Sequence, residues 1–306
     1  MKLHRFSVRL AFRRHGVRLM LVLLAAGAAL VSANPGAAQT EAPGEPVIIP
    51  GISIPGWGQV AEVQGHFSRP VGPKKVPAVL ILHAVMGVDG RGAFYARGLN
   101  EAGIATLEIT MFPPSSPPRD GPKATMPHAA AALKWLAAQP AIDGQRLGVM
   151  GFSWGGLMTV LMSSELVQER LGPNVPRPVA FAPLYPTCSL LARILVNPRS
   201  AFYNAHTRMS GAPMLIQVGT RDDFEEGERS CDALVSMWPA AARNQTIVRY
   251  IEGATHDFDS QGTGKNVYAR LSHGGHGGMV SLVPSPKDAA EARQAVVTFF
   301  VKHLNP

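Results

Sequence analysis

The sequence holds 306 residues, 46% of them hydrophobic and 16% charged, with 31 Gly and 26 Pro; this fits a globular chain rich in turns and excludes a fibrous or disordered one. Its length accommodates one large α/β domain. The net charge of +8 is concentrated at the amino terminus: residues 1–38 carry six Lys and Arg and no acid, which leaves 23 basic against 21 acidic residues in the remainder and removes the case for a nucleic-acid surface.

In chain order, Lys2 to Arg18 form a basic segment, "LMLVLLAAGAALVSA" (19–33) an uncharged apolar one, and "NPGAAQT" a run of small residues. This order predicts a secretion signal over residues 1–38, cleaved after Ala38 or after Ala33. The rival, an uncleaved anchor, is disfavoured because the apolar run falls short of the roughly 20 residues of a spanning helix. Residues 39–57, rich in Pro and Gly, are expected to be an irregular lead-in, and residues 58–306 the folded domain. "QVAEVQGHF" from Gln59 alternates like an edge strand, and "VPAVLILHA" reads as a strand buried on both faces. Then helix and strand alternate: "GAFYARGLNEAG", "IATLEIT", "HAAAALKWLAAQ", "RLGVMGF", "GLMTVLMSSELV", "PVAFAP", "APMLIQVG", "TIVRYIEG" and a closing helix "DAAEARQAVVTFFVKHL". The alternation predicts an α/β fold with a mostly parallel central sheet flanked by helices.

Within this pattern Gly151-Phe152-Ser153-Trp154-Gly155 fits G-x-S-x-G between a strand and a helix, the context a nucleophile elbow requires. A serine hydroxyl needs a base, itself oriented by an acid, and the chain order Ser, Asp, His is met in the loops after two later strands: "TRDDF" offers Asp222 or Asp223, and "ATHDFD" offers His256. A helix N-cap is the bland alternative for Asp222, and a structural histidine that for His256. The oxyanion donors expected are the backbone N–H of Trp154 and that of Val85 in "HAVMG", with Met86 second. His83 is expected to shape its loop.

The stretch from about Gln59 to Leu304 resembles the dienelactone hydrolase branch of the α/β-hydrolases, with "HAVMG", "GFSWGG", "GTRDDF" and "GATHDFD" at that family's motif positions. The resemblance implies the α/β-hydrolase fold, favours Asp222 as the acid, and sets His256 at the base position. "YPTC" at 185–188 with Cys231 resembles exported members. Two departures stand out: Ser153 occupies the position of the cysteine nucleophile of the name-giving enzymes, and Ala84 the position of a glutamate that controls their thiol. They imply a general hydrolase of carboxylic esters or lactones; the triad chemistry calls for no cofactor or metal, and neither a nucleic-acid partner nor a membrane anchor after signal cleavage is expected from the charge balance and the short apolar run. A peptidase or amidase of the same superfamily, and a binding protein whose triad has lapsed, are the alternatives.

Met86, Phe112, Tyr185 and Phe258 lie on segments expected to face the substrate. "FPPSSPPRDGP" (112–122) reads as a stiff loop over the pocket, and 188–211 as a small helical cap. Cys188 and Cys231 could close a disulfide in an exported chain or remain two buried thiols. "HGGHGG" (273–278) lacks carboxylates at metal-ligand spacing and is expected to be a mobile loop.

Overall fold

The computed structural model describes residues 44–227 and 229–304; the expected secretion signal lies outside them. Strand β1 (Glu45–Pro50) is followed by a small hairpin of β2 (Ser53–Ile54) and β3 (Gly58–Gln59). Then come β4 (Glu62–Ser68), β5 (Val76–Leu82), α1 (Arg91–Glu101), β6 (Ala105–Ile109), α2 (Met126–Ala138) and β7 (Ile142–Phe152). The second half runs α3 (Trp154–Met162), α4 (Glu165–Leu171), β8 (Ala180–Leu184), α5 (Cys188–Val196), β9 (Met214–Gly219), α6 (Ser230–Ser236), α7 (Ala240–Asn244) and β10 (Thr246–Ile251). The hairpin β11 (Lys265–Ala269) and β12 (Gly278–Leu282) precedes α8 (Pro286–Leu304).

Eight strands form one sheet in the order β1-β4-β6-β5-β7-β8-β9-β10, parallel from β6 to β10 and antiparallel at the β1 and β4 edge. Alternate side chains of β5 divide between two cores, as the period of two demands. Ala78, Leu80 and Leu82 pack with α2 and α3, whereas Val79 and Ile81 pack with Tyr95, Ala96 and Leu99 of α1 and Val296 and Phe300 of α8. Burial on both faces explains the unbroken apolar runs of the central strands. No helix among the described residues is long and apolar enough to cross a membrane.

Three expectations require correction. The lead-in is not irregular throughout: Glu45–Pro50 pairs along its length with β4, burying Ile49 while Ile48 faces out. Its Pro46 and Pro50 are tolerated because an edge strand needs hydrogen bonds on one side only. "GLMTVLMSSELV" is two helices, since Ser163 Oγ bonds the Val160 carbonyl and Ser164 Oγ bonds the Ala205 carbonyl, side-chain partners that compete with helix continuation. "HGGHGG" is the turn of the β11–β12 hairpin rather than a free loop: the His273 N–H donates to the Asp223 carbonyl at 2.8 Å and the Gly274 N–H to that of Phe224 at 3.1 Å.

Candidate active site

The site forms where the loops leaving the carboxyl ends of β5, β7, β8, β9 and β10 converge, the end of an open α/β sheet at which ligands bind. The turn from β7 into α3 holds Ser153 at φ 48° and ψ −105°. A Cβ on Gly151 would lie 2.4 Å from the Gly155 carbonyl carbon, and one on Gly155 would lie 2.1 Å from the Leu82 carbonyl oxygen, so only glycine lets the chain turn this tightly against β5. Ser153 is therefore raised out of the sheet at the first turn of a helix, where unpaired N–H groups point outward.

The side chains expected to act together do meet. His256 Nε2 lies 2.8 Å from Ser153 Oγ and His256 Nδ1 lies 2.8 Å from Asp222 Oδ2. Asp222 Oδ1 accepts the Phe224 N–H at 2.9 Å, so its carboxylate is fixed at both oxygens. Asp223 points elsewhere: its Oδ2 accepts the Ser281 N–H, and its carbonyl that of His273, tying the β11–β12 hairpin to this loop. Neither aspartate caps a helix, since α6 begins only at Ser230. Burial disfavours a charged imidazole at His256, but Asp222, reinforced by Asp257 and Glu225, more than offsets it and holds the pKa above the ordinary histidine value. Phe224 stacks on the imidazole at 4.1 Å and the Tyr185 ring meets it edge-on at 4.8 Å, so the ring is clamped in its plane.

The loop after β5 lies against the elbow, for the Gly155 N–H donates to the His83 carbonyl at 3.2 Å. The N–H groups of Val85, Met86 and Trp154 have no acceptor among the described residues. His83 shapes this loop: its Nδ1 lies 2.6 Å from the Ala84 carbonyl, and its Nε2 accepts the Met111 N–H at 2.9 Å. These two partners fix a neutral tautomer, and burial accordingly lowers its pKa. The 112–122 loop is bound to the same segment by the Ser115 N–H on the Val85 carbonyl.

Of the side chains expected to face substrate, Met86 is 40% exposed. Phe112 is buried between His83 and Trp154 and buttresses the loop. Tyr185 and Phe258 are corrections: both are wholly buried behind His256, packed edge-on against each other at 5.5 Å, because the α1 and α8 core extends under this loop.

Cys188 and Cys231 are joined in a disulfide that ties the start of α5 to α6. Beside it the Glu225 carboxylate accepts the N–H groups of Cys188 and Ser189 and the Ser189 hydroxyl. Glu225 and the two sulfurs cluster within 4.8 Å, but sulfurs bonded to each other are not thiolate ligands and this carboxylate is already saturated. The sequence reading missed Glu225, Phe224, Asp257 and Arg91. Of these, Asp257 beside His256 and Phe224 at the end of "TRDDF" carried a visible signal.

The Dienelactone hydrolase family matches residues 63–304. The chain belongs to this family, whose members are hydrolases of ester bonds. Among solved structures, Thermogutta terrifontis esterase 2, phosphorylated by paraoxon, aligns with a TM-score of 0.62 at 15% identity, over 87% of this chain and 97% of that one. Est1E from Butyrivibrio proteoclasticus aligns with 0.56 at 15%, over 85% and 99%. The dienelactone hydrolase of Anabaena variabilis aligns with 0.55 at 17%, over 85% and 99%. At such identities these three share the fold with this member of the dienelactone hydrolase family. No curated protein matches it.

Proposed function

We propose that this dienelactone hydrolase family member is a serine hydrolase that cleaves carboxylic esters or lactones through an acyl-enzyme on Ser153. The observation that carries the proposal is the unbroken chain Ser153 Oγ, His256, Asp222, with 2.8 Å at each link. His256 Nε2 takes the Ser153 proton as Oγ attacks the carbonyl carbon, and the Val85 and Trp154 N–H groups receive the oxyanion. As the tetrahedral intermediate collapses, the bond to the leaving oxygen breaks and His256 returns the proton to it, freeing an alcohol, or in a lactone a tethered hydroxyl. Water then attacks the acyl-enzyme, giving its proton to His256, which passes it to Ser153 as the acid departs. Asp222 holds Nδ1–H and stabilises the imidazolium at each stage.

The test is Ser153→Ala in the purified protein with p-nitrophenyl acetate as substrate. Loss of about 10⁶-fold in kcat is expected, the scale seen when a triad serine is removed; retention of the parent rate would sink the mechanism.

We further infer that the protein acts outside the cytoplasm. The support is the basic-then-apolar amino-terminal segment together with the Cys188–Cys231 disulfide, a bond that persists in oxidising compartments. Amino-terminal sequencing of the protein recovered from the periplasm or medium should begin at Asn34 or Gln39; recovery only of an intact chain from the cytoplasm would overturn this.

A further inference from the structure

Behind His256 lies a buried charged cluster that the triad chemistry does not use. Its centre is Arg91, the first residue of α1, only 1% exposed. Nη1 donates to Asp257 Oδ1 at 2.5 Å and to the Tyr185 hydroxyl at 2.9 Å. Nε and Nη2 donate to the Asp89 carboxylate at 3.0 and 2.5 Å. The Tyr185 hydroxyl donates onward to Asp259 Oδ1 at 2.5 Å, whose second oxygen accepts the Tyr95 hydroxyl at 2.8 Å. The guanidinium also lies over the Phe152 ring, 5.5 Å from its centroid.

Each of these contacts ends next to a working part. Asp257 follows His256 and Phe152 precedes Ser153. Tyr185 is the residue whose ring meets the imidazole edge-on, and Asp89 closes the loop that carries Val85. One buried side chain thus grips four strand-end loops. Ser153, Tyr185 and Asp257 all have positive φ, at 48°, 36° and 58°, conformations that non-glycine residues hold only where the surroundings enforce them. A buried guanidinium is costly unless its donors are paired, and here its planar fork meets three partners that a lysine ammonium could not span at once. Burial opposes the charge on Arg91, yet Asp257, Tyr185 and Asp89 keep it fully protonated.

We propose that Arg91 is a positioning residue: it sets the orientation of the His256 imidazole relative to Ser153 by fixing Asp257 and, through its hydroxyl, Tyr185. The proposal rests on the serine mechanism above. It assigns to α1, an element carrying no reacting group, control of the Ser153 Oγ to His256 Nε2 approach. Displacement of a base by about 1 Å costs on the order of 10²-fold in rate, while substrate binding, which Arg91 does not touch, is spared.

The test compares Arg91→Met, Arg91→Lys, Tyr185→Phe and Ser153→Ala in the full chain, reading kcat and KM on p-nitrophenyl acetate, far-ultraviolet circular dichroism, and the low-field proton resonance of His256 Nδ1. The expected result is an approximately 10²-fold fall in kcat for Arg91→Met with KM little changed and the His256 resonance broadened or lost. Arg91→Lys restores part of the rate, and Tyr185→Phe, which removes one oxygen, gives an intermediate loss. If Arg91→Met does not fold, Tyr185→Phe decides: a reduced kcat with a perturbed resonance supports the proposal, and the parent kcat with the parent resonance overturns it. A loss seen as raised KM with kcat intact also overturns it. If Ser153→Ala keeps the parent rate, the serine mechanism itself falls; if Ser153→Ala is inactive while the Arg91 and Tyr185 variants work at the parent rate, the positioning role alone falls.

Discussion

His256 Nδ1 stands 2.8 Å from Asp222 Oδ2, whereas the neighbouring Asp223 carboxylate turns away to accept the Ser281 N–H. Two adjacent aspartates thus hold separate tasks, one orienting the imidazole and the other tethering a hairpin. Asp222→Asn should lower kcat by about 10⁴-fold, because an amide N–H facing Nδ1 selects the wrong tautomer. Asp223→Ala should cost on the order of 1 kcal/mol of stability for the lost hydrogen bond and leave kcat near the parent value. Steady-state kinetics and a denaturant titration on both variants check the division; a larger kcat loss in Asp223→Ala would reverse it.

The pH profile should carry the mark of His256. The base must be neutral to accept the Ser153 proton, and its pKa lies above the ordinary histidine value, against burial, because Asp222, Asp257 and Glu225 favour the imidazolium. Activity is therefore lost as pH falls through a midpoint above about 6.5, and kcat/KM measured against pH should show this acid limb. Asp257→Asn removes one of the charges favouring the imidazolium, so the limb should move to lower pH; movement to higher pH contradicts the electrostatic assignment.

Glu108 should make stability pH-dependent. Burial, reinforced by Asp89 and opposed by Arg91, pushes its carboxyl up to about 7. The folded protein then retains a proton that the unfolded chain releases near pH 4.5, so the contribution of Glu108 to stability is greatest below that pH and is lost as pH rises to about 7. The decline amounts to something on the order of 3 kcal/mol. Glu108→Gln is neutral throughout and should remove this slope in the difference between parent and variant denaturation curves; identical slopes would show that Glu108 is charged in the fold.

The Cys188–Cys231 bridge spans 43 residues, a loop whose closure is worth about 4 kcal/mol in the chain-entropy account. The span contains α5, β9 and the Asp222 loop. Reduction, or Cys188→Ala with Cys231→Ala, should lower the Tm and cut kcat as well, because α5 and the Glu225 carboxylate that holds its first N–H groups lie next to the acid loop. An unchanged Tm after reduction would mean that the bridge adds nothing to the fold.

Much of this was legible in the sequence because local pattern and local chemistry agreed. The strand and helix alternation, the glycines around Ser153 and the order Ser, Asp, His required no knowledge of distant contacts. What was not legible depended on them. Arg91 reads as an ordinary charged residue at a helix start, two residues after Asp89, until the fold brings Asp257 and Asp259 of the loop after β10 against it. Tyr185 and Phe258 looked like pocket aromatics, and only the position of α8 turned them inward. The strand at Glu45–Pro50 was hidden by its own prolines, since its partner β4 and not its propensity makes it a strand. The choice between Asp222 and Asp223 rested on a family pattern, and in the fold it is the Asp222 side chain that faces His256.

The central claim, that Ser153 is the nucleophile, is tested most directly by treating the protein with a fluorophosphonate probe and mapping the adduct by peptide mass spectrometry. The account predicts one adduct on Ser153, absent in Ser153→Ala and greatly slowed in His256→Ala. An adduct at another residue, or a parent protein that hydrolyses esters yet is not labelled at Ser153, would contradict it.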